Sequence, residues 1–230
     1  MRVLVGMEFS GRVRDAFIRA GHDAMSCDLL PGERPGPHYQ GNVFDIVGDG
    51  WDLAIFHPPC TFLTISAEWA YGDGPWHQKL KPGTLTGAAR RQARDEAVGQ
   101  FRRIMALPIP RIAAENPVGV LSTRYRRPDQ VVQPWWFGDD ASKATCLWLK
   151  NLPPLAQTVV VGGRLVEWPR GSGRMVRRWG NQTDGGQNRL TPSDDRWKDR
   201  SRTYAGLAGA MSMQWAGVCS AQLDLFEVAA

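Results

Sequence analysis

Short apolar runs broken by turn residues dominate the first half of the chain. The run Arg2 to Val5 is followed by "GMEFSG" and then by "RVRDAFIRAG", in which Val13, Phe17 and Ala20 fall on one helical face. Gly21 is a natural helix stop. "DAMSCD" predicts a second strand ending in Asp28. A strand, turn, helix and strand in that order open a doubly wound α/β sheet. "LLPGERPGPHYQGN" reads as loop. Asp52 to Phe56 ("DLAIF") is apolar without alternation, as a buried parallel strand should be. Trp69 to Gly83, rich in Gly, Pro and Trp, predicts a long functional loop. Thr86 to Ala106 predicts a helix, with Ala89, Ala93, Ala97, Phe101 and Met105 spaced by four, and "RIAAEN" (Arg111 to Asn116) a further strand.

After Pro117 the regular alternation lapses. Gly, Pro, Trp and Arg dominate as far as about Asp199, with one apolar strand expected at Val159 to Val161 and a final helix at Tyr204 to Val218. The expected architecture is therefore α/β: a Rossmann-like, doubly wound, mostly parallel sheet formed by residues 1–117 and 200–220. A small, basic, loop-rich lobe is expected over 118–199 and a free tail over 221–230. There is no internal repeat.

Composition narrows the classes. Of 230 residues, 43% are hydrophobic, enough for a core, and 22% are charged, which does not favour disorder. No apolar run approaches the ~20 residues of a membrane helix, and Met-Arg leading straight into a strand is unlike a secretory signal. The expectation is a cytoplasmic monomer with no membrane partner. The four cysteines, Cys27, Cys60, Cys146 and Cys219, show no metal-binding spacing and are expected as free thiols, with no metal site. The net charge is +5. Arg164, Arg170, Arg174, Arg177 and Arg178 crowd one stretch that holds a single acid, Glu167, with Trp168 and Trp179 beside them. A solvated basic face would look like this, and so would a nucleic-acid contact, which cations interleaved with aromatics favour. Most of Trp135, Trp136, Trp148, Trp168, Trp179 and Trp197 are expected to build the core of the lobe.

The chemistry concentrates at strand ends. "GMEFSG" is a glycine-bracketed turn entering a helix, a common nucleotide cradle, although it lacks the full G-x-G-x-x-G. Asp28 stands where such folds hold an acid for ribose hydroxyls, and Asp45 is a candidate polar contact near an adenine. Cys60 and Glu115 each close an apolar strand, so both should face the crevice outside the carboxyl ends of the sheet. A thiolate nucleophile and a proton donor facing one substrate form a coherent pair; a packed cysteine and a capping or salt-bridged acid are the alternatives. A nucleophilic Cys60 should have a depressed pKa.

These residues carry a resemblance. "GMEFSG" resembles the first motif of DNA cytosine-5 methyltransferases, "HPPCTFLT" their Pro-Cys motif, "ENP" their Glu-Asn-Val motif, and "GQNR" their Gln-x-Arg element. "RTYAGLAGAMSMQW" is similar to their closing motifs, and the order along the chain matches. More particularly, the chain resembles the compact members carried by phages and prophages. The resemblance implies that Cys60, held by Pro59, adds to carbon 6 of cytosine, that Glu115 with Asn116 meets ring nitrogen 3, and that Arg189 belongs to the catalytic set. It implies S-adenosylmethionine along Met7, Glu8, Phe9, Ser10, Gly11, Asp28, Asp45 and Pro58, and DNA with its target base flipped out. Departures from the pattern are Glu8, Pro117, the short stretch left for target recognition, and His57, which stands where the family has a small residue or glycine and is not counted in the site.

The tail "QLDLF" (Gln222, Leu223, Asp224, Leu225, Phe226) resembles the pentapeptide that binds the bacterial sliding clamp, a second expected partner. The alternative functions are methyl transfer to free deoxycytidine nucleotides and a catalytically idle accessory that binds DNA or the clamp.

Overall fold

The run Arg2–Gly6 forms the central strand β1 of a seven-stranded sheet. A computed structural model describes residues 1–217 except Gln78, Lys81 and Asp194. On one side of β1 lies β2 (Asp23–Asp28), with β3 (His38–Gln40) beyond it; on the other lie β4 (Leu53–Phe56) and then β5 (Arg111–Pro117), all parallel. The sheet continues with β7 (Thr145–Lys150), antiparallel to β5, and ends at β6 (Gln130–Val132), giving the order β3-β2-β1-β4-β5-β7-β6. The chain leaves β1 in one direction and later returns to build in the other. That reversal makes a crevice at the carboxyl ends of β1 and β4, where ligands bind in open α/β sheets.

Helices cover both faces, so the strands are apolar on both sides. Alternate residues Val3, Val5, Leu53, Ile55 and Ala113 pack under α1 (Arg12–Arg19) and α5 (Ala205–Trp215). Leu4, Ala54, Phe56, Ile112 and Ala114 pack under α2 (Gly87–Met105). The α/β doubly wound class expected from the pattern is the one observed.

Four local expectations are corrected. The segment read as loop after Asp28 contains β3, a three-residue edge strand. Val159 and Val160 are exposed and form no strand; here the chain bonds instead to the carbonyls of Trp135 and Trp136 through the amides of Val161 and Thr158. The stretch after Pro117, expected to belong wholly to the lobe, supplies β6 and β7 to the main sheet, with the short helix α3 (Leu121–Arg124) between β5 and β6. What remains outside the sheet is centred on a hairpin, β8 (Arg164–Glu167) against β9 (Met175–Arg178), and on α4 (Arg196–Ser201). On α2, Phe101 and Met105 of the expected face are buried, but the rest of the buried stripe is Arg90, Arg94, Val98 and Ile104, while Ala89 is exposed.

Strand β7 is held by its tryptophan. Trp148 is fully buried, packs edge-on to Phe101 at 5.0 Å and donates from Nε1 to the Arg126 carbonyl at 2.9 Å. Trp148→Ala should therefore destabilise the protein by about 3–5 kcal/mol, measured as a lower denaturant midpoint with an unchanged slope.

Candidate active site

Parallel register brings the strand tips level. Gly6 pairs with Phe56, and Phe56 with Ala114, so the next residues, Met7, His57 and Glu115, emerge side by side. Met7 adopts a left-handed backbone (φ 60°), as does Gly11 (φ 71°), the residue that enters α1. A Cβ on Gly11 would also lie 2.5 Å from Nη2 of the buried Arg14. The Glu8 carboxylate turns inward: it accepts from the Gly11 amide at 3.0 Å and from the Ser10 hydroxyl. Phe9 packs on Trp197 of α4 at 5.9 Å. Asp28, at the tip of β2, accepts from the Leu30 amide at 3.0 Å and keeps a partly exposed, burial-raised carboxyl. Asp45 lies in a 3₁₀ turn (Val43–Asp45), exposed, accepting from the Tyr39 hydroxyl at 3.3 Å.

β4 ends at Phe56, and the next eight residues are pinned from several directions. Asn116 Nδ2 donates to the Pro58 carbonyl at 2.8 Å. The Leu63 and Thr64 amides donate to the Cys60 carbonyl at 3.0 and 3.1 Å, closing a turn, and the Val120 amide donates to the Leu63 carbonyl at 2.8 Å. Thr64 forms an isolated bridge to Gly119, where a Cβ would lie 2.1 Å from the Leu63 oxygen. Arg94, buried on α2, donates to the Phe62 carbonyl at 2.9 Å and to Glu68 at 2.6 Å, and its guanidinium lies 3.4 Å from the Tyr71 ring centroid. Arg90 stacks over the same ring at 4.8 Å. Pro58 is buried in this framework, while Pro59 and Cys60 are exposed on its outer side.

Glu115 projects from the tip of β5 into a narrow cavity shared with Lys143, Thr145, Thr203, Tyr204 and Leu207. It is buried, and Oε2 lies 2.9 Å from Nδ1 of His57. Burial pushes its carboxyl up, but Lys143 and the His57 hydrogen bond prevail and hold it below the ordinary carboxylate range. Cys60 is shifted the other way. Crowding by protein raises its thiol and the Glu115 carboxylate raises it further, against the opposing pull of Lys143 and Arg200. The depressed thiol expected from the sequence is thus corrected: in the free protein a carboxylate, not a cation, dominates the charge around the sulfur. Three buried polar atoms with no protein partner, His57 Nε2, Asn116 Oδ1 and Thr203 Oγ1, belong to residues at this crevice.

Arg189 is placed differently. Its Nε donates to the Gln182 carbonyl at 2.8 Å, next to the hairpin, and the cations that act on Cys60 are Lys143 and Arg200, joined by a bond from Lys143 Nζ to the Arg200 carbonyl at 2.9 Å. In the hairpin, Arg164 pairs with Asp184 at 2.8 Å, Arg177 donates to the Gly162 carbonyl and Arg178 to the Asp184 carbonyl. Arg170 and Arg174 are exposed. Trp135 and Trp179 stack at 5.0 Å beneath the hairpin. Residues 222–226 lie outside the described residues. Among the described residues, no helix is long and apolar enough to cross a membrane, and no group of three or more His, Cys, Asp or Glu is arranged to hold a metal.

Comparison with known proteins yields no matching family model and no matching curated protein. Among solved structures, the chain is similar to a prophage-encoded protein of E. coli described as a DNA modification methyltransferase, at 14% identity and a TM-score of 0.39, covering 73% of this chain and 58% of that one. It is also similar to a triple mutant of DNMT2 from Spodoptera frugiperda, at 14% identity and a TM-score of 0.37, covering 70% and 54%.

The electrostatics predict thiol reactivity. Iodoacetamide should modify Cys60 before Cys27 or Cys146, which are buried and pushed up to about 11. The Cys60 rate should still be rising with pH above the ordinary thiol range. Glu115→Gln removes the repelling carboxylate and should shift that rise to lower pH. Mass-spectrometric labelling rates across pH test both outcomes.

Proposed function

We propose that the protein is a DNA cytosine-5 methyltransferase that works through a covalent Cys60 adduct. The observation that carries this reading is the meeting of an exposed cysteine and a buried glutamate beyond the ends of adjacent parallel strands, close enough for the charge of one to act on the other.

The crevice fits S-adenosylmethionine by the chemistry of its lining. With Glu8 spent inside its own turn, Asp28 is the acid left for ribose hydroxyls, the exposed Asp45 is a polar contact for an adenine, and Met7, Phe9, Ser10, Gly11 and Pro58 complete the surround. The cofactor would supply an electrophilic methyl group to a nucleophilic carbon.

The residues of the chain make that carbon. The Cys60 thiolate gives an electron pair to carbon 6 of the ring, forming the S–C6 bond. Ring nitrogen 3 takes up a proton from solvent as the ring binds against Glu115, so the displaced pair is drawn into the ring and carbon 5 becomes nucleophilic. Glu115, an anion in the free protein, pairs with that protonated nitrogen and stabilises the charge as it develops. Once methylated, carbon 5 loses its proton to a base, the S–C6 bond breaks and the thiolate departs. The pinned turn around Cys60 holds the attacking atom in place beforehand, removing orientational entropy from the barrier.

The same arrangement couples binding to activation. While the site is empty, burial and then the Glu115 charge favour the protonated thiol; a cationic ring edge against Glu115 would offset the second of these and let Lys143 and Arg200 act more strongly toward the thiolate. The exposed Arg170 and Arg174 at the hairpin tip would contact DNA phosphates. The tail motif Gln222 to Phe226 supports delivery by a sliding clamp, which compensates for a small recognition lobe by raising local concentration.

Incubation with tritiated S-adenosylmethionine should label duplex or single-stranded DNA, and Cys60→Ser should reduce labelling by about 10³-fold or more. DNA containing 5-fluorocytosine should trap a covalent complex at Cys60. Label in deoxycytidine monophosphate alone would reassign the enzyme to free nucleotides, and label nowhere would leave the accessory role.

A further inference from the structure

His57 takes no part in the chemistry described above, yet it is among the most constrained side chains in the crevice. Its amide donates to the Gly6 carbonyl at 3.0 Å, which fixes it at the tip of the central strands. Its side chain is 8% exposed, with Nδ1 2.9 Å from Glu115 Oε2. Nε2 is buried without a protein partner. Burying an imidazole with one nitrogen unsatisfied costs free energy that a purely structural corner has no reason to spend.

We infer that His57 is a positioning residue for Glu115: its Nδ1–H fixes one carboxylate oxygen and leaves the other, Oε1, to face ring nitrogen 3 of the bound pyrimidine. The inference rests on the reading of the crevice as a cytosine site. The bonded carboxylate oxygen is thereby fixed in place, and Glu115 presents a defined edge to the cavity it lines.

The charges around the couple set its response to pH. Glu115 faces Lys143, Cys60 and Cys146, and Tyr204 lines the same cavity. His57 acts in turn on Asp28, and Arg200 acts on Cys60. Lys143 and His57 are the two groups that hold the Glu115 carboxyl down against burial. Without His57, Lys143 stands alone against desolvation, and the carboxyl rises.

Two measurements on the native protein, His57→Ala and His57→Asn test this. The first is the titration of the Glu115 carboxyl in the ligand-free protein, by carbon-13 NMR. The second is the pH profile of single-turnover methyl transfer to DNA. His57→Ala should raise the Glu115 midpoint and move the acid limb of the rate upward with it. His57→Asn, whose amide can donate to Oε2, should return both toward the native values. An unmoved Glu115 midpoint in the folded variants overturns the inference. If the native protein transfers no methyl group to any substrate, the functional reading fails by itself, and the titration still decides the role of His57.

Discussion

The carbonyls of the segment after β4 have no strand to pair with, and the site depends on how they are satisfied. A buried carbonyl left without a donor costs about 1–3 kcal/mol. Here donors come from a different element at almost every step: Asn116 from β5 for Pro58, the local turn for Cys60, Arg94 from α2 for Phe62, and the backbone beyond β5 for Leu63. Each bond specifies a position, and together they leave the exposed sulfur one place to be. Arg94 bears most of this because its flat guanidinium bonds carbonyls at its edge while its face lies on Tyr71. Arginine suits such a role and lysine does not, since only the planar fork does both at once.

Around that framework the charges form a small circuit. Lys143 and Arg200 arrive from the segment before β7 and from α4, and Glu115 and His57 from two parallel strand tips. No one of these elements makes a site. The parallel register at β1, β4 and β5 puts the turn after β1 on one side of His57 and Glu115 on the other.

Much of this was legible before any fold was known. β1, β2, β4 and β5 were readable because each is a compact apolar run closed by a turn, and the ends of those runs picked out Asp28, Cys60 and Glu115. β7 was not, because "TCLWLK" lies between lysines in a stretch full of Gly, Pro and Trp, and only its pairing with β5 makes it a strand. The face of α2 was read only in part: Phe101 and Met105 are buried as expected, but Arg90 and Arg94, not Ala89, continue the buried stripe toward its start. His57, Lys143 and Arg200 share no spacing with one another. Their convergence is a tertiary fact, and the unpartnered Nε2 that marks His57 exists only in the folded chain.

The raised Cys60 thiol has a bearing on the chemical durability of the protein. Peroxide and disulfide exchange attack thiolates far faster than thiols, and exposure alone is not enough for either. With its thiol raised, the exposed Cys60 is a poorer target for both than an exposed thiolate would be. Burial, and after it the Glu115 charge, thus lower the reactivity of that sulfur toward oxidants in the ligand-free protein.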